Sequence, residues 1–185
     1  AFTGRALAII GAARVGQLAA CLVALPLLAG FEAKFTPKVT HEITTSIEID
    51  VTPDKVWSNV IGFTELPKPA EWFFEMGVAF PQRARIVGSG VGAVRHCEFS
   101  TGAFVEPITA WEPGKLLAFD VSSQPPSMQE WSPYEKVHAP HLEGYMKSVR
   151  GEFRLIALEG GRTRLEGTTW YQIDIHPEGY WCFYA

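Results

Sequence analysis

Apolar and polar side chains alternate through most of the chain after residue 40. His41–Asp50 (HEITTSIEID) sets Ile43, Thr45, Ile47 and Ile49 on one face, which predicts a strand with one side buried. The period then changes. Thr52-Pro53 is a helix start, with Thr as N-cap and Pro at the first helical position, and Val56, Trp57, Val60 and Ile61 follow at helical spacing. Leu66-Pro67-Lys68-Pro69 breaks that helix, and Ala70–Met76 predicts a second short one. From about residue 82 the period of two returns. Arg83–Gly88, Ala93–Ser100, Phe104–Trp111, Lys115–Ser123, Gly144–Leu158 and Arg162–Ile175 predict six strands, separated by glycine-rich turns such as Glu112-Pro113-Gly114 and Glu159-Gly160-Gly161.

The order is strand, two short helices, then a meander, with no internal repeat. It predicts an α+β fold built on one curved antiparallel sheet of seven strands. The inner face of such a sheet must be covered, and two short helices are too small to do it. A long C-terminal helix is the expected cover. Tyr180–Ala185 reads as its first turns, so the 185 residues read as a piece of a longer chain. Between Ser123 and His141 stand Pro125, Pro126, Pro133 and Pro140, a stretch without periodicity and long for a loop inside one domain. Met128, Trp131 and Tyr134 give it an adaptable apolar character. It is a candidate lid, or an insertion packed on its own domain.

The head of the chain has another pattern. Val15–Phe31 carries no charge, close to the ~17-residue minimum for crossing a bilayer. Residues 1–31 are expected to form a transmembrane segment and 32–40 a polar linker, which places the protein at a membrane. A cleaved signal peptide and a buried helix are the alternatives, although no clean small-x-small cleavage site follows. Lysines and arginines flank both sides equally, so orientation is not readable. Composition sharpens this division. Residues 1–40 hold Arg5, Arg14, Lys34 and Lys38 against Glu32, whereas the remainder has 12 basic and 19 acidic side chains. An acidic body without a Lys/Arg cluster argues against nucleic-acid binding. Six Trp, twelve Phe and five Tyr argue against disorder. Cys21, Cys97 and Cys182 are too few and scattered for a disulfide framework or a zinc knuckle.

Three stretches in this order resemble the START-like, helix-grip superfamily (SRPBCC), in particular its polyketide cyclase/dehydrase and lipid-transport branch. They are SIEIDVTPDKVWSNVIGF (46–63), GVGAVRHCEFSTGAFVEPITAWEPGKLLAF (90–119) and RGEFRLIALEGGRTRLEGTTWY (150–171). The resemblance covers residues 41–185 and leaves out the apolar head. It implies a seven-stranded sheet gripping a long C-terminal helix, with an apolar cavity between them. Members bind lipids, sterols, polyketides or hormones, and a minority catalyse. This chain departs from the pattern after Pro177, where only eight residues remain for the final helix.

Alternation suggests which side chains look inward. On the strand from residue 93, the set Ala93, Arg95, Cys97 and Phe99 is the more apolar, which puts Arg95 in or at the mouth of the cavity. Glu106 is in phase with Phe104 and Ile108, so Arg95 and Glu106 can meet across the sheet. Such a pair is either a structural ion pair, a polar anchor for the head group at the end of an apolar pocket, or an acid/base pair. Leu117, Phe119 and Val121 are expected inside on the next strand. On the last hairpin the inward set is Phe153, Leu155, Leu165, Thr169, Tyr171 and Ile173, with Trp170 on the opposite phase. Arg95, Cys97, Phe99, Glu106, Ile108, Leu117, Phe119, Val121, Phe153 and Tyr171 are the candidate ligand contacts.

Glu106, Arg95 and Tyr171 are the weak candidates for catalysis. No nucleophile elbow, phosphate loop or activated cysteine is visible. His138 and His141 lie close in sequence but lack a third ligand, so no metal or cofactor is expected. The expected function is binding of a hydrophobic, lipid-like or polyketide-like small molecule by a membrane-tethered domain. A cyclase/dehydrase-like enzyme and a regulatory domain of a larger membrane protein are the alternatives.

Overall fold

A computed structural model describes residues 20, 22–35, 37–129 and 144–177. It divides into a unit running from Val39 to Ile173 and a second unit formed by the segments on either side. The first unit is a seven-stranded antiparallel sheet, β1 (Thr40–Ile49), β2 (Pro81–Val87), β3 (Val94–Phe99), β4 (Gly102–Glu112), β5 (Leu116–Asp120), β6 (Met146–Leu158) and β7 (Arg162–Ile173), in the spatial order β1-β7-β6-β5-β4-β3-β2. All strands of the meander pair with their sequence neighbours. The chain closes the order by pairing β1 with β7.

In the second unit residues 22–35 form helix α1. Between β1 and β2 run helices α2 (Pro53–Ile61) and α3 (Trp72–Glu75). Pro53 opens α2 as expected, but Thr52 caps it only with its carbonyl, which accepts from the Lys55 and Val56 amides at 3.1 and 3.2 Å. Its side chain makes no capping bond. Helix α3 is shorter than the sequence suggested.

The apolar stripe of α2 explains where the helix sits. Val56, Trp57 and Val60 pack on Ala93, Ile108, Leu117, Phe119 and Leu155, and this cluster is the core. Full burial of such side chains contributes about 1.5–3 kcal/mol each. Trp57 also meets Trp111 edge to face, with ring centroids 5.4 Å apart. Trp111 reaches the inner face through a bulge. Register shifts between Ile108 and Ala110, so the inward phase moves from Glu106 and Ile108 to Trp111, which lies opposite Leu117.

The opposite face of the sheet is a polar surface. Thr44 and Thr168 share a hydroxyl hydrogen bond at 2.8 Å, and Trp170 donates from Nε1 to Glu42 at 2.8 Å beneath the Arg150 guanidinium. Glu98 lies between Arg83 and Arg85, and Glu48 between Arg162 and Arg164. These pairs are solvent-screened and contribute little each.

Up to Gln129 the proline-rich stretch holds no strand or helix, and isolated bridges fix it. Bridges join Ser123 to Val105 and Met128 to Val78. Gln124 donates to the Met146 carbonyl and accepts from the Ser148 amide at 2.6 and 2.7 Å, tying the stretch to β6. Gly77 (φ 101) receives Gln129 so closely that a Cβ there would stand 1.9 Å from the Gln129 carbonyl oxygen. Trp131, Tyr134, His138 and His141 lie outside the described residues, as does the expected C-terminal helix start.

In the second unit, α1 exposes Leu22, Val23, Leu27, Leu28 and Phe31. Among the described residues no helix is long and apolar enough to cross a membrane, and the first part of the expected span, residues 1–19, is not described. Lys38 Nζ donates to Asp174 at 2.5 Å. The His176 ring lies 3.8 Å from the Glu32 carboxylate and 3.7 Å from that of Asp174.

Candidate functional site

The alternation of β3 places Ala93, Arg95 and Cys97 in the interior. The tight Gly102 connection sets the register that puts Arg95 directly opposite Glu106 on β4. Arg95 is 3% exposed and Glu106 5%. Arg95 Nη1 donates to Glu106 Oε2. The Arg95 Nε–H, buried as deeply, has no partner. Its guanidinium lies 5.8 Å from the Phe119 ring centroid and 5.7 Å from that of Phe153, both within cation–π range.

A glycine seats the first of these rings. A Cβ on Gly151 would stand 2.6 Å from Phe119, whereas one on Gly167 would meet Phe153 at an ordinary contact of 3.5 Å. Phe119 can sit against β6 as it does only because residue 151 has no side chain.

Two concavities open on this face. The smaller, about 370 Å3, is lined among others by Cys97, Phe99, Phe104, Glu106, Phe119 and Val121. The larger, about 560 Å3, lies under α2 against Ile49, Val51, Val56, Val60 and Leu165. Arg95, Phe63 and Phe153 line both. Arg95 therefore faces both concavities, whereas Glu106 lines the smaller alone.

Burial governs the chemistry of the titratable groups here. It raises the Glu106 carboxyl above the ordinary carboxylate range, and the adjacent Arg95 charge opposes that rise. The Cys97 thiol is pushed up to about 11, chiefly by burial. It stays protonated at neutral pH and is a poor nucleophile. Among the described residues no cluster of His, Cys, Asp or Glu has the makings of a metal site.

Of the residues singled out from sequence, Arg95, Cys97, Phe99, Glu106, Phe119, Val121 and Phe153 line the concavities. Ile108 and Leu117 are buried in the core under α2 and line neither. Tyr171 is also buried and also lines neither; its ring packs on His41, centroids 5.4 Å apart. Phe63 was missed. It follows Gly62 just after α2, outside the helical stripe, and an isolated bridge to Ala84 fixes it. A large aromatic directly after a helix-ending glycine was the signal available. Ser148 was missed as well, because the register shift beyond it keeps it opposite Tyr171.

A curved seven-stranded antiparallel sheet, with helices between its first two strands and a buried ion pair on its inner face, defines a protein of the START-like, helix-grip class. The chain belongs to the polyketide cyclase/dehydrase and lipid transport family, whose model matches residues 40–175. No curated protein matches it. Among solved structures it is similar to norcoclaurine synthase from Thalictrum flavum in complex with dopamine and hydroxybenzaldehyde (TM-score 0.45, 15% identity, covering 76% of this chain and 73% of that one). It is similar also to the Zhui aromatase/cyclase from Streptomyces sp. R1128 (0.44, 13%, 72% and 68%). A third is the Aha1 dimer from Colwellia psychrerythraea (0.40, 16%, 70% and 75%).

Proposed function

We propose that the protein binds a hydrophobic small molecule, lipid-like or polyketide-like, on the inner face of its sheet. The observation that carries this is the buried Arg95–Glu106 pair, whose guanidinium has one donor unspent and lines two largely apolar concavities. Apolar walls supply affinity at roughly 25 cal/mol per Å2 removed from water. A few placed polar groups orient the ligand. Family membership agrees with this reading. Native mass spectrometry of the purified protein should reveal a copurifying small molecule or uptake of an added fluorescent lipid. If the protein carries none and takes up none, the reading fails.

An enzyme of the cyclase/dehydrase kind is the second reading. It is favoured by one observation, a buried carboxyl that lines the smaller concavity and whose pKa burial raises, since proton transfer is helped by a carboxyl pKa moved toward neutrality. Glu106→Gln separates the two. An enzyme loses turnover while a binding protein keeps its ligand. Membrane attachment through the uncharged stretch Val15–Phe31 belongs to the same proposal, supported by the exposed apolar side chains of α1. Recovery of the full-length chain in the carbonate-washed membrane fraction would support it, and recovery in the supernatant would end it.

A further inference from the structure

We infer that the ligand carries an uncharged hydrogen-bond acceptor in its interior, with apolar groups on both sides, and that the site rejects carboxylates. This rests on the binding reading above and deepens it. The first premise is position. Arg95, Phe63 and Phe153 line both concavities, so a ligand that touches Arg95 has an apolar chamber on either side. The second premise is the unspent donor. A buried N–H without a partner is costly, and the Arg95 Nε–H has none. A carbonyl, ether or hydroxyl oxygen supplies what it lacks.

The third premise is charge. Glu106 already neutralises Arg95 at 5% and 3% exposure. A ligand carboxylate brought to the same place would be a second anion beside Glu106 with one cation between them, and a buried unmatched charge is disfavoured. Cys97, which also lines this region, offers no cation. Two other cations reach the chambers. Arg150 lines the smaller one, but its side chain is half exposed, lies over Trp170 at 3.8 Å from the ring centroid and pairs with Glu152. Lys55 is exposed at the edge of the larger chamber. A terminal carboxylate there would be screened by water and gain little.

The test is displacement of the neutral dye Nile red from the full chain by three compounds of similar size. Benzophenone has a carbonyl between two rings, diphenylmethane has the same shape without an acceptor, and biphenyl-4-carboxylate carries a terminal anion. Benzophenone is expected to displace the dye at about tenfold lower concentration than either of the others, the factor one recovered hydrogen bond commands. In Glu106→Gln, Arg95 keeps a partner oxygen while its charge is released. There the carboxylate should gain about tenfold on benzophenone. The inference is overturned if the wild-type protein prefers the carboxylate or ranks diphenylmethane level with the ketone. It is overturned equally if Glu106→Gln leaves the ketone-to-carboxylate ratio unchanged. Should that variant fail to fold, the wild-type series decides alone. If neither the dye nor any of the three binds, the binding reading itself falls with it.

Discussion

Arg95→Met isolates the most consequential interaction in the molecule. It removes the guanidinium and leaves Glu106 buried at 5% exposure without its partner. Breaking a buried ion pair from one side costs about 3–5 kcal/mol. Glu106 has a way to limit that cost, which is to take up a proton. Burial already raises its pKa, and among the described residues Arg95 is the charge that opposes the rise. Without Arg95 the folded-state pKa climbs further above the unfolded value. A carboxyl in that position contributes stability below its unfolded pKa and loses it as pH rises through its folded pKa. The penalty relative to wild type should therefore be small near about pH 4 and reach about 3–5 kcal/mol near pH 8.

Urea unfolding followed by tryptophan fluorescence reads this directly, because Trp57 and Trp111 are in contact at the core. The double variant Arg95→Met/Glu106→Leu supplies the second half of the test. An apolar pair of similar volume should recover the loss and add about 1–4 kcal/mol over wild type. A penalty in Arg95→Met that is equal at every pH, or a double variant no more stable than the single one, would refute the assignment of the cost to a stranded carboxylate.

Three further outcomes are expected. Gly151→Ala forces Phe119 off its seat, since the new Cβ would stand 2.6 Å from the ring; unfolding should show a loss of about 1–3 kcal/mol, and dye uptake should weaken as the ring moves into the smaller chamber. Leu117→Ala, at a side chain 0% exposed, should cost about 2–5 kcal/mol in the same assay without shifting its pH dependence. Cys97, with its thiol pushed up to about 11 by burial, should stay unmodified by iodoacetamide in the native protein near neutral pH and react once urea is added, as peptide mass spectrometry of that cysteine would show; rapid native alkylation would contradict its placement.

How much of the site was legible in the sequence follows from where the strands are regular. On β3 the period of two runs unbroken, so Arg95 and Cys97 could be assigned to the interior and Glu106 found in phase on β4. Where a strand carries an extra residue, simple alternation fails. The register shift after Ile108 brings Trp111 to the inner face, a position that the phase of Glu106 and Ile108 had sent outward. The shift after Ser148 keeps that residue on the inner face although Arg150, two positions on, pairs with outward-facing Trp170. A bulge depends on pairing with a distant strand and leaves no local period to read.

The shape of the concavities was hidden for a related reason. It depends on what lies across the sheet from each ring: Gly151 under Phe119, Gly167 under Phe153, and Phe63 fixed by a bridge to Ala84. In the sequence Gly151 and Gly167 are only weak points in two strands. In the fold Gly151 leaves the room that the Phe119 ring occupies, and Gly167 stands at ordinary contact distance from Phe153. An alanine at residue 151 would displace the Phe119 ring, which lines the smaller concavity. The room in the smaller concavity thus depends on a missing methyl group on β6 as well as on the charged pair that pattern reading finds first.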